Sequence, residues 1–461
     1  MKTILWLFIF YIFSTVQVFA KSGNVQVYIE AQNYSNQKVY ITSNQFKDSL
    51  LLNDNGIGNV ILHIENETFA WVRIYNTNNQ PINYIILKPN SDVRLTINEE
   101  NIQFLGNTKE LNNLFLKCSS YFDMKYEETQ LLIDSNEPKN KTTDKFKDCE
   151  EEFLNFLIAQ PESNHLSPAD YSLIKSYFIS SFLAKKQLYL SSLSLSLIEK
   201  KELENELGIS SHYLFKDSIL LKANSIPFKD FLISYYDYRV KRDLPFDQFG
   251  AKLYPRAVEN YFINDSTYGE HVLEFISYVN LTSCFDYFGL TQQTNELWEE
   301  FKKKHPRSTY IKHLSELHFK SDSLSPGNPA PNFILRSNTG KEISLKDFKG
   351  KLILIDVWAT WCKPCRKEMS NIQDLQSTFH DVTFLFISID SDKEKWRDYL
   401  KEHQMGSCTN LISSDSSFKE QYRVSGVPRY ILINKDGFII NAFMEHYEGA
   451  VEKELRKAVK E

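Results

Sequence analysis

Two cysteines three residues apart, Cys362 and Cys365, offer the clearest chemistry in this 461-residue chain. A thiol pair at that spacing can close into a disulfide, or attack another disulfide and then release it. The run 351–358 ahead of them is almost unbroken apolar sequence, the pattern of a strand buried on both faces, and it stops at the Cys-x-x-Cys. Cys362 is therefore expected at the first turn of a helix, where unpaired N–H groups and the helix dipole favour an anion, here the nucleophilic thiolate. Cys365, one turn on and more shielded, is placed to resolve the mixed disulfide. Zinc usually takes four ligands, and the chain has no second Cys-x-x-Cys and no His-Glu-x-x-His. Neither a metal nor another cofactor is expected.

The neighbours of the pair have readable roles. Lys363 puts a positive charge between the thiols, although an exposed lysine is screened, and it counts among the substrate-binding candidates. Pro364 lacks an N–H and fixes φ where a helix start tolerates it, which stiffens the first turn. Asp356 is the anomaly of the apolar run: an ionised carboxylate is costly to bury, so its pKa should rise. Six residues before Cys362, it is a candidate catalytic base that takes the proton of Cys365; the competing reading leaves it at the strand edge in water. Val427-Pro428 precedes the candidate strand 429–433, where a proline with no ladder donor belongs. A cis bond there would turn Val427 toward the dithiol, so that its backbone can pair with an extended substrate segment. Trp361, beside the nucleophile, reads as contact surface, Trp358 as core, and Glu368 as helix capping or solvation.

The elements that carry these residues alternate along the C-terminal part. A short hairpin at 333–345, the buried run, a helix with Met369, Ile372, Leu375 and Phe379 at three- or four-residue spacing, a second buried strand at 382–389, another helix, a hairpin turned at Lys435-Asp436-Gly437 and an amphipathic terminal helix make a small α/β sandwich. Ahead of it, the first 325 residues separate into three stretches. Residues 1–20, with Lys2, an apolar core and Ala20, read as a secretory signal peptide, with an uncleaved anchor as the alternative. Residues 21–115 alternate like an antiparallel β domain, and residues 116–325 are mainly helical, with the polar, lysine-rich 135–148 expected as a loop. The fold class is therefore multidomain: β, then helical, then α/β. The net charge of −6 forms no basic patch, which excludes nucleic acid as a partner. Of the six cysteines, Cys118, Cys149, Cys284 and Cys408 stand outside the motif; a Cys118–Cys149 bridge is conceivable, and buried free thiols are the alternative.

The strings N-P-A-P-N-F at 328–333, D-F-K-G-K at 347–351, D-V-W-A-T-W-C-K-P-C-R-K-E at 356–368 and G-V-P-R-Y-I-L-I-N-K-D-G at 426–437 together resemble the thioredoxin superfamily. In particular they resemble the exported thiol-disulfide oxidoreductases of the TlpA/ResA kind. The resemblance implies a thioredoxin fold for residues 326–461, with Cys362 and Cys365 as redox pair, Pro428 as cis-proline and Asp356 as the buried acid. Arg429 stands where thioredoxin has threonine and becomes a candidate for substrate binding and partner choice. The implied partners are disulfide-bearing exported proteins, apocytochrome c among them, and a membrane electron donor in the cell envelope. The upstream arrangement resembles multidomain envelope proteins of Bacteroidetes. A thioredoxin-fold peroxidase is the enzymatic rival, but Ala359 occupies its threonine position and Cys365 would be unexplained. A binding or assembly protein that works through its upstream part is the non-catalytic alternative.

Overall fold

The computed structural model describes residues 22–43, 46–74, 81–98, 102–134, 138–210, 212–216, 218–244, 246–403, 405, 409–413, 415–444 and 449–460. The expected signal peptide and Cys408 lie outside them. Two compact units form, residues 1–235 and 236–461. Among the described residues, no helix is long and apolar enough to cross a membrane.

In the first unit, β1 (Gly23–Ala31), β2 (Lys38–Thr42), β3 (Lys47–Leu51), β4 (Ile57–Ile64), β5 (Thr68–Ile74), β6 (Pro81–Leu87), β7 (Ser91–Ile97) and β8 (Ile102–Leu105) build two four-stranded sheets. Their orders are β4-β1-β7-β8 and β3-β2-β5-β6, antiparallel throughout except where β1 meets β7. Period-2 alternation sets the inward face: Val25, Val27 and Ile29 of β1 share one core with Val39 and Ile41 of β2 and Val93 and Leu95 of β7. Each such side chain contributes about 1.5–3 kcal/mol when fully buried. Two adjacent asparagines then pair with the edge strands β6 and β8. The Asn112 carboxamide accepts from Ile86 N–H at 2.7 Å and donates to Ile86 C=O at 3.1 Å. The Asn113 carboxamide repeats this with Phe104, at 3.1 Å in both directions. One turn of helix thereby pairs with one residue on each of the edge strands β6 and β8, where no further strand is present among the described residues.

That turn opens α1 (Lys109–Asp134), followed by α2 (Lys139–Ala159), α3 (Pro168–Ser192), α4 (Leu197–Glu206), α5 (Ile219–Lys222) and α6 (Ile226–Asp243). Phe115 of α1 and Tyr177 of α3 pack on Phe69 of β5, with ring centroids 5.5 and 4.5 Å away, so these helices share a core with the sheets. The loop expected at 135–148 is corrected: from Lys139 it is helix, because Phe146, Cys149, Phe153 and Leu157 bury one face beneath the lysine-rich surface. Cys118 and Cys149 are buried free thiols, as is Cys284, so the conceivable bridge is not made. Burial pushes the Cys118 thiol up to about 12, which leaves it inert.

In the second unit, α7 (Phe246–Ile263), α8 (Glu270–Tyr287), α9 (Gln292–Lys304) and α10 (Ile311–Asp322) precede a seven-stranded sheet. Its strands are β9 (Ile334–Ser337), β10 (Glu342–Ser344), β11 (Leu352–Trp358), β12 (Val382–Ser388), β13 (Thr409–Ile412), β14 (Arg429–Ile433) and β15 (Ile439–Asn441), in the order β10-β9-β13-β12-β11-β14-β15. The central β11 runs parallel to β12 and antiparallel to β14, and all seven of its residues are buried. One face, with Leu354 and Trp358, packs on Met369 and Ile372 of α11 (Lys363–Thr378) and on Trp396 of α12 (Lys393–Glu402). The other, with Ile353, Ile355 and Val357, packs on Phe418 of α13 (Ser417–Gln421) and on Tyr422. α14 (Ala450–Ala458) adds Val451 and Leu455 to the first face. This is the α/β thioredoxin-like architecture, with the cysteines at the β11–α11 junction.

Candidate active site

Cys362 is the N-cap of α11 and Cys365 lies in its first turn; the two sulfurs form a disulfide. The Cys365 backbone N–H points at Cys362 Sγ, 3.1 Å away. When the pair is reduced, that N–H and the helix dipole both favour a Cys362 thiolate. The dipole contributes about 0.3–1 kcal/mol and a hydrogen bond to a charged group about 1.5–3 kcal/mol, so the hydrogen bond dominates. Pro364 occupies the second helical position, where its missing N–H breaks no bond. Both cysteines are buried, whereas Trp361 is 65% exposed and Lys363 points to solvent.

The turn into the helix is pinned by a residue that sequence reasoning missed. Buried Asp390, just beyond β12, accepts from the Thr360 N–H at 2.9 Å, the Thr360 hydroxyl at 2.8 Å and the Ser388 hydroxyl at 2.7 Å. Three donors satisfy a carboxylate that would otherwise be costly to bury. The available signal was its position: an acid directly after an apolar strand, as unusual as Asp356 within one.

Opposite the cysteines, the Val427–Pro428 peptide bond is cis and leads into β14. Cys362 Sγ lies 3.6 Å from the Val427 carbonyl oxygen. The backbone at Val427 is thus beside the sulfur that caps α11, and Val427 itself is half-buried.

Asp356 is buried in β11, cross-strand from Tyr430 of β14, and its Oδ1 has no hydrogen-bond partner among the described residues. By strand alternation it faces the same layer as Trp358, Cys365 and Tyr430. Burial, reinforced by the charge of Glu368, pushes its carboxyl up to about 8. The edge-of-strand reading of Asp356 does not hold in this geometry. A proton at that site is held through neutral pH and is released near the range in which thiols titrate.

Arg429, expected as a substrate contact, is buried and engaged within the chain. Its Nε donates to Ala442 C=O at 2.8 Å and its Nη1 to Asp286 C=O at 3.0 Å, while the guanidinium lies 4.0 Å over the Phe443 ring. Burial lowers its pKa to about 10, which still leaves it charged at neutral pH. Arg423 joins the same helix end, its Nη2 paired with the Asp286 carboxylate and its Nη1 3.4 Å from Leu317 C=O. Nothing in the spacing of the sequence marked Asp286, which lies 143 residues from Arg429.

Among the described residues, no three His, Cys, Asp or Glu side chains converge on a point where a metal could sit. The Redoxin family model matches residues 325–459. The thiol-disulfide oxidoreductase ResA of Bacillus thuringiensis subsp. konkukian is 32% identical over 141 residues, 30% of this chain and 81% of that protein. ResA of Bacillus subtilis strain 168 is 31% identical over 121 residues, 26% of this chain and 67% of that protein. Among solved structures, the thioredoxin domain of a thiol-disulfide oxidoreductase from Bacteroides vulgatus is 28% identical, covers 29% of this chain and 98% of its own, and superposes with a TM-score of 0.27.

Proposed function

We propose, for a chain that belongs through residues 325–459 to the thiol-disulfide oxidoreductases of the thioredoxin superfamily, that the Cys362–Cys365 couple reduces disulfides in exported proteins. The observation that carries this reading is the Cys362 sulfur, capping α11 and lying 3.6 Å from the Val427 carbonyl ahead of cis Pro428. A substrate strand paired with Val427 brings its own sulfur to that place.

The reduced enzyme attacks through the Cys362 thiolate. A Cys362–substrate disulfide forms and the other substrate sulfur leaves as a thiolate. Cys365 then passes its proton to the ionised fraction of Asp356, attacks Cys362 Sγ, expels the second substrate sulfur and closes the disulfide seen here. Two electrons pass to the substrate, and an electron donor in the membrane must return them. A proline-containing dipeptide without histidine favours a reductant, because no imidazolium stabilises the reduced form. We place the protein in the cell envelope, with disulfide-bearing exported proteins, apocytochrome c among them, as substrates. Lys363 and Trp361 border the site as substrate contacts.

Trapping tests this. A Cys365→Ala variant should accumulate a mixed disulfide with a reducible protein such as insulin, visible on non-reducing gels. Cys362→Ala should trap nothing and lose insulin reduction. Equal trapping by both variants would remove Cys362 from the nucleophile's role.

A further inference from the structure

α8 ends beside the dithiol site and is held there more firmly than helix packing requires. The Asp286 carbonyl accepts from Arg429 at 3.0 Å and its carboxylate pairs with Arg423. Directly after the helix, Gly289 has φ of +67°, and a Cβ on it would come within 2.5 Å of the Phe443 ring. Phe443 in turn lies under the Arg429 guanidinium at 4.0 Å. Two buried cations, a close backbone approach and a ring stack thus fix the last turn of α8 against β14 and the segment after β15. Only a glycine fits that approach.

What this clamp presents is Tyr287. Its ring lies against Gly426, with Cε1 and Oη 3.7 and 3.8 Å from the point where a Cβ on that glycine would stand. Gly426 directly precedes Val427, the residue whose carbonyl neighbours Cys362 Sγ. Yet Tyr287 stays 54% exposed, although the rest of the helix end is fastened down. A half-exposed aromatic on an anchored helix end is a good binding surface, because a tyrosine has few rotamers to lose and much apolar area still to bury.

Building on the proposed disulfide reduction, we infer that Tyr287 is a specificity-determining substrate contact of the Cys362 site. The occupant is an extended polypeptide segment whose cysteine is bonded to Cys362 and whose neighbouring side chain is aromatic or large and apolar. Paired along Gly426–Val427, such a segment lays that side chain on the Tyr287 ring. The helices before the sheet thereby contribute to substrate choice.

The test uses the full chain and two cystine-linked peptides that differ only in having Phe or Gly next to the cysteine. Their kcat/KM values are compared for wild type, Tyr287→Ala and Tyr287→Phe. The preference of wild type for the Phe peptide should fall about fivefold to tenfold in Tyr287→Ala, the size of one lost aromatic contact. It should persist in Tyr287→Phe and reside in KM. An unchanged preference in Tyr287→Ala, or an equal loss in Tyr287→Phe, would overturn the assignment while leaving disulfide reduction in place. A wild type that reduces neither peptide would overturn both.

Discussion

Asp356 carries the sharpest consequence at the scale of a single residue. An acid whose pKa is raised by folding keeps its proton in the native state after the unfolded chain has lost it. Stability therefore falls as pH rises from the unfolded value of about 3.9 to the folded value of about 8. The slope is about 1.4 kcal/mol per pH unit, and above the folded value the loss is complete and constant. Asp356→Asn removes the titration. In denaturant unfolding of the oxidised protein at pH 5, 6, 7 and 8, the variant should gain on wild type with each step. A gap that stays flat across that range would mean that Asp356 is ionised in the fold. The sequence showed this residue because a lone carboxylate in an apolar run is costly to bury, and burial of the whole strand removes the alternative of a solvated strand edge. Arg429 gave no such sign: after a proline at a strand start, an arginine bound for solvent and one bound for Asp286 look the same.

At the scale of elements, strong periodicity translated directly. β11 with its seven buried residues, α11 with Met369 and Ile372 on one face, and the Asn434–Phe438 turn with Gly437 at φ of +86° all follow from local pattern. β3, β8 and β13 were not anticipated, since K-D-S-L-L, I-Q-F-L and T-N-L-I are too short to show a period and exist as strands only through their neighbours. Residues 139–148 were misread for a related reason: many charges hide a helix whose buried stripe is only one residue in three or four. The edge pairing by Asn112 was invisible, because a buried asparagine looks like any polar residue of a helix start. Replacing it tests the idea. Asn112→Ala strands the N–H and C=O of fully buried Ile86, and should cost about 2 kcal/mol or more. Urea midpoints should show this loss to exceed that of Asn113→Ala, whose bonds to Phe104 are only part-buried. Equal and negligible losses would mean that water replaces both pairs of bonds.

For the whole molecule, the change of sequence grammar near residue 326 marks where the thioredoxin-like fold begins, while compactness divides the chain at 235/236. Across the change of grammar, Arg423 and Arg429 find partners at Leu317 and Asp286, contacts that no local pattern encodes. The dithiol was legible because it sits in one contiguous string, and so was the helical character of 116–325, whereas the approach of α8 to β14 was not, because that link is tertiary. Whether the dithiol gives electrons to protein disulfides is read out by the reduction potential of the Cys362–Cys365 couple. Equilibrating the protein with dithiothreitol or glutathione buffers and counting free thiols should give a value near that of thioredoxin, about −270 mV. A value near that of a strong oxidant, about −120 mV, would reverse the direction of electron flow and contradict the account.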